Sequence, residues 1–589
     1  MAILYLDGRR LFRGFIAGSR SVTAWTDYLN KINVFPVPDG DTGANLSATL
    51  ANILQSSKPD MSLKSTAENL AEHALSMARG NSGIIFAQFL YGLSQELPQG
   101  KRLTIADFSR AAHKAVDYMY EALTNPVEGT MITVIRVWAE SMLQFSGEYN
   151  DLFQVFKKSL LKARISLEQT PRQLEVLRKA GVVDAGGKGF VVFLEGISEY
   201  LEDGNLLEQD SHQEQVLLGD IREHQGSRLR FCCETLLTKL QQEPRQVIKE
   251  LETLGDSIAS AGGRNRLHLH IHTNEPTAVF HILAQHASIS NVKVDDMIWQ
   301  QQIQENRKFK IGLVTDSAAD FPDELRQYYQ VNTIPIKLMF GEDIYLDKVT
   351  INSEQFFNKI EAGSVFPRSS QPDPAQVNAT LDFVRTHFEK VICLSISSQL
   401  SGVYNLMNLS AGNNEDVAVF DSRHLSVSQG LLVLRVAESI KEGMPFEEII
   451  KNLPEWREGC WIFTDIRSLD FMVRGGRVSP ITGKIAKLLN LKPIVSVDEQ
   501  GKGIAWGKSF SRKSNMKKII GLVQEKAGSG KLWNYAIVHA RCNDRAARYG
   551  ELLGQKLGKA PLYIMDIGPV VGVHNGPGAC AVGLLVEKE

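Results

Sequence analysis

Residues 33–45 read NVFPVPDGDTGAN. Two prolines and two glycines in this run exclude a continuous helix, yet the apolar residues on either side recur at three- and four-residue spacing. The segment is therefore a turn set into helical surroundings. It puts Asp39 and Asp41 two residues apart around Gly40, where both carboxylates can be aimed at one point. A hard divalent cation held there would join them to substrate phosphates. A plain surface turn with solvated acids would spell the same letters.

Outward from the turn, helical patterning runs from about Leu11 to Tyr200, as in Leu63 to Gly92 and Ile105 to Leu123. Two more glycine breaks interrupt it. In ARGNSG, Asn81, Ser82 and Gly83 sit where backbone amides can cradle phosphate at a helix start. In VVDAGGKGF, Asp184, Gly186, Gly187 and Lys188 form another such break. Each alone also fits an ordinary helix end or a close helix contact. The chain has no GxxxxGK[ST] loop, so it is not an ordinary P-loop enzyme.

The remaining organisation follows from changes of style. Glu202 to Gly219 is polar and acid-rich, RLHLHIHTN at 266–274 alternates like a strand, and Gln300 to Lys308 is polar again. From Phe309 short β runs alternate with helical ones, with strands expected at Phe309–Thr315, Thr333–Met339, Val391–Ile396, Val417–Phe420 and Trp461–Thr464. That alternation predicts an α/β domain with a largely parallel sheet. Three domains are expected: 1–205, 215–300 and 309–589, in line with 589 residues at roughly 100–200 per domain. A net charge of −2 and 43% hydrophobic residues supply no field for gripping nucleic acid. The start, MAILYLDGRRLF, lacks a long apolar core and no later stretch reaches the ~20 apolar residues of a membrane span; a cytoplasmic protein is expected. Six cysteines are too sparse for a disulfide framework.

Two further candidate sites lie downstream. Period-two alternation in HLHIHT sends His268, His270 and His272 to one face, and a thiolate from the FCCE segment can complete a metal site with any two of them. Buried cysteines beside a histidine-bearing strand face fit equally well. In the α/β half, LVTDSAADFP ends a strand at Asp316 and Ser317, where ligands lie in open α/β sheets. RSSQPDP offers Ser369 and Ser370, SISSQLSG offers Ser397 and Ser398, and GPVVGVHNGPG sets His574 in a glycine-rich turn. Hydroxyls and an imidazole are donors suited to a buried carboxylate, though any one serine also serves as a helix cap.

Taken in order and spacing, NVFPVPDGDTGAN, ARGNSG, EGTMITVIR and DAGGKG resemble the nucleotide-binding domain of bacterial fatty acid kinase, itself similar to the ATP-binding L subunit of dihydroxyacetone kinase. The resemblance implies an all-helical antiparallel barrel that holds ATP with Mg2+. Asp39 and Asp41 fall on the catalytic metal ligands, with Thr42, Asn45, Asn81, Ser82, Gly83, Asp184 and Gly186 on the nucleotide side. Asn33 sits near the position of a third aspartate in the dihydroxyacetone kinase relatives. RFCCE through GDSIASAGGRNRLHLHIHTN is similar to the kinase's small α+β middle domain, which implies zinc held by Cys232, His270 and His272, with Cys233 where another residue is usual. Three protein ligands leave a fourth position open.

From Lys310 to Glu589 the chain resembles the DegV family, the fatty-acid-binding partner of that kinase. This implies two α/β subdomains with an acyl chain between them, its carboxylate held by Ser369 or Ser370, by Ser397 or Ser398, and by His574. Arg474 and Arg477 in VRGGRVS match a loop near the pocket mouth. The expected activity is ATP-dependent phosphorylation of the bound fatty acid carboxylate to acyl phosphate. The implied partners are the fatty acid, a second copy in a homodimer and an acyl-phosphate-using acyltransferase at the membrane. A kinase of a small hydroxylated substrate such as dihydroxyacetone, and a lipid carrier or sensor with an inactive kinase half, are the alternatives.

Overall fold

Helix α1 (Gly8–Ala24) starts at Asp7, whose carboxylate accepts from Arg10 N at 2.9 Å, the usual service of an aspartate N-cap. In the computed structural model, which describes residues 3–36, 40–121, 123–203, 229–363, 365–476, 492–509 and 511–588, it opens a helical region. This continues with α2 (Thr26–Lys31), α3 (Thr42–Ser56), α4 (Leu63–Met77), α5 (Gly80–Glu96), α6 (Ile105–Glu121), α7 (Met131–Ser146), α8 (Leu152–Gln173), α9 (Glu175–Ala180) and α10 (Ala185–Asp203). Successive helices pack side by side from α3 to α8, and α10 returns onto α1, α7 and α8. Their shared core is aromatic: Phe86 meets Phe193 edge-on at 5.1 Å and Trp138 meets Phe190 at 5.7 Å. Such pairs contribute ~1 kcal/mol each beyond their buried area.

The chain divides into two compact units, Met1–Gln300 and Gln301–Glu589. The first also contains a four-stranded antiparallel sheet of β1 (Phe231–Thr238), β2 (Gly255–Gly263), β3 (Arg266–Thr273) and β4 (Ser288–Asp296), in the order β2-β3-β1-β4. One face of this sheet rests on α4 and α5. Gly262 N donates to Gln88 Oε1 at 2.6 Å, and His268 Nδ1 lies 3.2 Å from the Leu75 carbonyl.

The second unit has two main sheets and a smaller one. β5 (Ile311–Asp316), β6 (Val331–Ile334), β10 (Lys390–Ser395) and β11 (Val417–Asp421) form a wholly parallel sheet in the order β11-β10-β5-β6. β7 (Lys337–Phe340), β8 (Asp343–Leu346) and β9 (Arg368–Ser370) make a small antiparallel sheet. The expected single strand at Thr333–Met339 is thus two strands in two sheets, parted at Pro335, which has no amide to keep a ladder going. A six-stranded sheet, β14-β13-β12-β17-β15-β16, joins β12 (Cys460–Asp465), β13 (Lys492–Val497), β14 (Gly503–Ser509), β15 (Lys531–His539), β16 (Ile564–Asp566) and β17 (Cys580–Glu587). All its pairings but β15–β16 are antiparallel. The expectation of a largely parallel sheet therefore holds for the first sheet and fails for this one. β17 enters between β12 and β15 and runs against both. Among the described residues no helix is long and apolar enough to cross a membrane.

Candidate functional site

The N-terminal turns of α3, α5, α7 and α10 meet. A Cβ on Gly80 would come within 2.7 Å of Asn45 Nδ2, one on Gly83 within 2.7 Å of Thr49 Oγ1, and one on Gly186 within 2.8 Å of Ser82 Oγ and 3.2 Å of the Met131 Cβ. Only glycine fits this closely, and Gly80 also has φ +60°, a conformation glycine adopts without penalty. Asp184, buried, accepts from Gly187 N at 2.7 Å and from the Met131 amide, tying the starts of α10 and α7 together. Burial nevertheless pushes its carboxyl up to about 6. Four converging helix dipoles favour an anion, and side-chain oxygens already occupy the Gly80, Met131 and Gly187 amides; the glycine-built space and the dipoles fit a nucleotide's phosphates.

Asn45, Ser82, Gly83, Asp184 and Gly186 are thus brought together, with Asn81 between Gly80 and Ser82. Asp41 is exposed at the N-cap of α3, and Thr42 follows it. Asn33 is buried one turn beyond Asn30, whose side chain accepts from Ala44 N at 3.0 Å. Asp39 lies outside the described residues, as does Arg477. The sequence reading missed Thr49, which accepts from Arg79 N and donates to the Asn45 carbonyl, bracing α3 against α5.

The middle sheet carries the second candidate. β1 sets Cys232 opposite His272 and Glu234 opposite His270, so alternation brings all four side chains to one face. Ligand atoms of Cys232, His270 and His272 all lie within 4.8 Å of one another, and Cys232 Sγ is 3.7 Å from His270 Nδ1. Tetrahedral zinc at ordinary bond lengths separates such atoms by about 3.5 Å. The buried Nε2 of His270 has no hydrogen-bond partner. Burial, aided by His270, holds His272 down to about 3, which leaves its ring neutral as a ligand must be. These observations fit a zinc ion. Unforeseen from sequence, Glu234 Oε1 accepts from Gly80 N at 2.6 Å and stands 3.4 Å from His270 Nδ1, linking this cluster to the phosphate cradle.

The third is a cavity of about 560 Å³ in the second unit, within the ~300–1,000 Å³ of small-molecule sites. Ile336, Ile396, Ile462, Met472, Val495 and Val571 give it apolar walls, and polar side chains line it as well, Ser369, Ser370 and His574 among them. Ser369 Oγ and His574 Nε2 are 3.3 Å apart. Behind the imidazole, a Cβ on Gly475 would lie 2.3 Å from His574 Nδ1, so this glycine of VRGGRVS makes room for the ring. Arg474 stacks on Phe366 at 3.8 Å. Ser397 and Ser398 do not reach the cavity lining: Ser397 Oγ donates to the Gly501 carbonyl at 2.8 Å, and Ser398 N donates to Asp421.

Three family models match the chain: a DAK2 domain over residues 36–199, the middle domain of fatty acid kinase-like proteins over 228–304, and the DegV family over 310–587. A DegV domain-containing protein of Clostridium perfringens is 32% identical over 284 residues, 48% of this chain and 99% of that one. The chain belongs to the DegV family. It joins a DegV domain to a DAK2 domain and a fatty acid kinase-type middle domain. Protein YloV of Bacillus subtilis is 30% identical over 319 residues, 50% of this chain and about half, 56%, of that relative. The crystal structure of DegV, a fatty acid binding protein from Bacillus subtilis, has 28% identity and a TM-score of 0.44, covering 48% of this chain and 100% of that one.

Within the DegV domain, carboxylates fix the short helix Pro569–Asn575 that carries His574. Asp320 Oδ1 accepts from Gly568 N and Asp347 Oδ1 from Val570 N, both at 3.0 Å. Asp320 is held in turn by Lys348 at 2.7 Å and Ser426 at 2.6 Å. Asp316, named from the strand end, is buried and accepts from Ile396 N and Ala318 N, bracing β5 to β10. Nothing in the sequence marked Lys337 and Thr464, which line the cavity from two different sheets.

Proposed function

We propose that the chain phosphorylates the carboxylate of a fatty acid held in the DegV cavity, giving an acyl phosphate. What supports this reading is one polypeptide that pairs a glycine-built phosphate cradle with a cavity lined by apolar side chains and by Ser369, Ser370 and His574. The fatty acid kinase-type middle domain between them supports it. ATP, when bound with Mg2+, supplies the transferred phosphoryl group and the charge that offsets it. Asp39 and Asp41 are the metal ligands in this proposal. The helix starts at Asn45, Ser82, Gly83 and Gly186 orient the phosphates, and buried Asp184 keeps two of those starts in register. Ser369 and His574 donate to the acceptor carboxylate and fix its direction. No residue need act as general base, because a carboxylate of reference pKa near 4 is already ionised at neutral pH; alignment and charge neutralisation remain for the protein.

Cys232, His270 and His272 hold zinc in this proposal, and the modules run 1–205, 215–300 and 309–589. The protein works in the cytoplasm, pairs with a second copy, and passes its product to an acyl-phosphate-using acyltransferase at the membrane for phospholipid synthesis. The deciding experiment follows ATP consumption by the purified chain with oleate or palmitate, with dihydroxyacetone, and with neither. Fatty-acid-dependent turnover, lost in Asp41→Ala, supports the proposal. Turnover with dihydroxyacetone alone, or none with either, overturns it.

A further inference from the structure

A thiol cluster stands apart from every group used above. Cys542, half-buried, occupies the N-cap of the 15-residue helix Asn543–Leu557. Arg545 Nη2 lies 3.0 Å from its Sγ, and in the neutral form the thiol donates to the Ala579 carbonyl at 3.1 Å. Cys580, buried, follows Ala579 directly and belongs to the core cluster against which Cys542 packs. Arg545 is locked in place by Asp465, at 3.3 Å, and by the Gly578 carbonyl; Asn515 holds Asp465 from the other side at 2.8 Å.

A helix N-terminus and an arginine both favour a thiolate over a thiol. The groups facing the sulfur are the Arg545 guanidinium, with Asp465 behind it, and the His539 imidazole, which stands 3.0 Å from Asp566. Cys580 and the Arg545 guanidinium beside it draw Cys542 below the usual thiol range against burial, while Cys460, buried with no charge nearby, goes up.

We propose that Cys542 and Cys580 form a peroxide-reactive thiol pair, with Cys542 the attacking sulfur and Cys580 the resolving one. The Cys542 thiolate attacks a hydroperoxide oxygen; the S–O bond forms, the O–O bond breaks, and the leaving oxygen departs as hydroxide or alkoxide, which takes up a proton. The Cys580 thiol then gives up its proton and attacks the Cys542 sulfur, forming S–S and releasing the sulfenic oxygen as water. Two electrons pass from the thiols to the peroxide.

This pair anchors the loop from Asn575 to Ala579, which joins the His574 helix to β17. Gly578 N donates to the Ala540 carbonyl at 2.7 Å and Ala540 N to the Ala579 carbonyl at 2.9 Å, beside the Arg545 and Cys542 contacts. Disulfide formation exchanges the Cys542 bond to the Ala579 carbonyl for a covalent link to the next residue, Cys580, and leaves the other three ties in place, so the loop is held more tightly.

The test treats the full, reduced chain with hydrogen peroxide and maps cysteines by differential alkylation and peptide mass spectrometry, with hydrogen exchange followed on the peptides covering 569–580. A Cys542–Cys580 linked peptide is expected, with exchange there slowing several-fold and recovering on reduction. Alkylation of native Cys542 should stay fast below the usual thiol pKa of about 8.5 and slow about tenfold in Arg545→Met. Cys580→Ser should leave Cys542 as a sulfenic acid that a dimedone reagent captures, which tests the attacking role even if Arg545→Met fails to fold. The proposal is overturned if no linked peptide forms, if Cys542 reacts no faster than Cys460, or if the linked chain exchanges like the reduced one.

Discussion

His574 is the residue on which the acceptor end of the cavity turns, since its ring is wedged between Ser369 at 3.3 Å and the Gly475 backbone. Each buried methylene of an acyl tail contributes ~0.8 kcal/mol, so the tail dominates retention and the imidazole dominates aim. His574→Ala is expected to cut phosphoryl transfer by about 10–100-fold while co-purifying lipid, weighed by mass spectrometry, changes far less. Parallel loss of both would move the carboxylate elsewhere. Ser397 should behave in the opposite way. Removing its hydroxyl strands the buried Gly501 carbonyl, so Ser397→Ala should cost about 1–3 kcal/mol of stability in urea melts and leave acyl retention as it was. Asp347 sets a pH dependence: burial raises its carboxyl to about 6, so its contribution is complete below the unfolded value near 4 and is lost as pH rises through about 6. Asp347→Asn, which keeps an acceptor for Val570 N, should flatten the fall in urea midpoint between pH 4 and 7 by on the order of 2 kcal/mol; an unchanged slope would show that the carboxyl does not titrate there. Ser369 and His574 were readable in the sequence because a polar residue in a glycine- or proline-bounded loop has little packing work to do. Ser397 was misleading for a physical reason, as a string of letters does not say which way a hydroxyl turns once a loop closes over it.

At the scale of elements, the proposed metal site of Cys232, His270 and His272 belongs to a sheet register. Cys232 faces His272 across the β1–β3 ladder, and a one-residue slip would turn every ligand to the other face. Purification without chelator is expected to give about one zinc per chain, lost from Cys232→Ala and from changes to His270 or His272; protein that is metal-free from the start would return the trio to ordinary core. Alternation made the histidine face readable, but the Glu234 bridge to Gly80 was not, because it joins residues 154 apart in sequence. The helical region was readable throughout from its spacing. The α/β half was read only in part: β5, β10 and β11 carry dense apolar runs, whereas β14 and β16 are half-covered strands at the two edges of the six-stranded sheet, whose pattern speaks less plainly. Proline placement explains the split of β6 from β7, and that signal was available in Pro335.

For the molecule as a whole, the proposed reaction joins donor and acceptor modules in one chain and so replaces an encounter by a tether, with an effective concentration of up to about millimolar for a short flexible connection. Residues 1–308 and 309–589 produced separately should therefore show fatty acid phosphorylation that rises with the concentration of the second piece, while the intact chain shows no such dependence; equal rates for both preparations at micromolar protein would remove the tether's role. The order of the six-stranded sheet has a different kind of consequence. β17, last of the six in sequence, is inserted between β12 and β15, and β12 and β13 supply Ile462, Thr464, Val495 and Val497 to the cavity wall. A nascent chain that has emerged only as far as His574 thus has a gap at the centre of that sheet and two raw strand edges, the kind of surface that invites pairing with another chain. On the ribosome, the kinase half can fold while the lipid module still waits for its keystone strand, so a translational pause before Cys580 is where this protein would most need a chaperone.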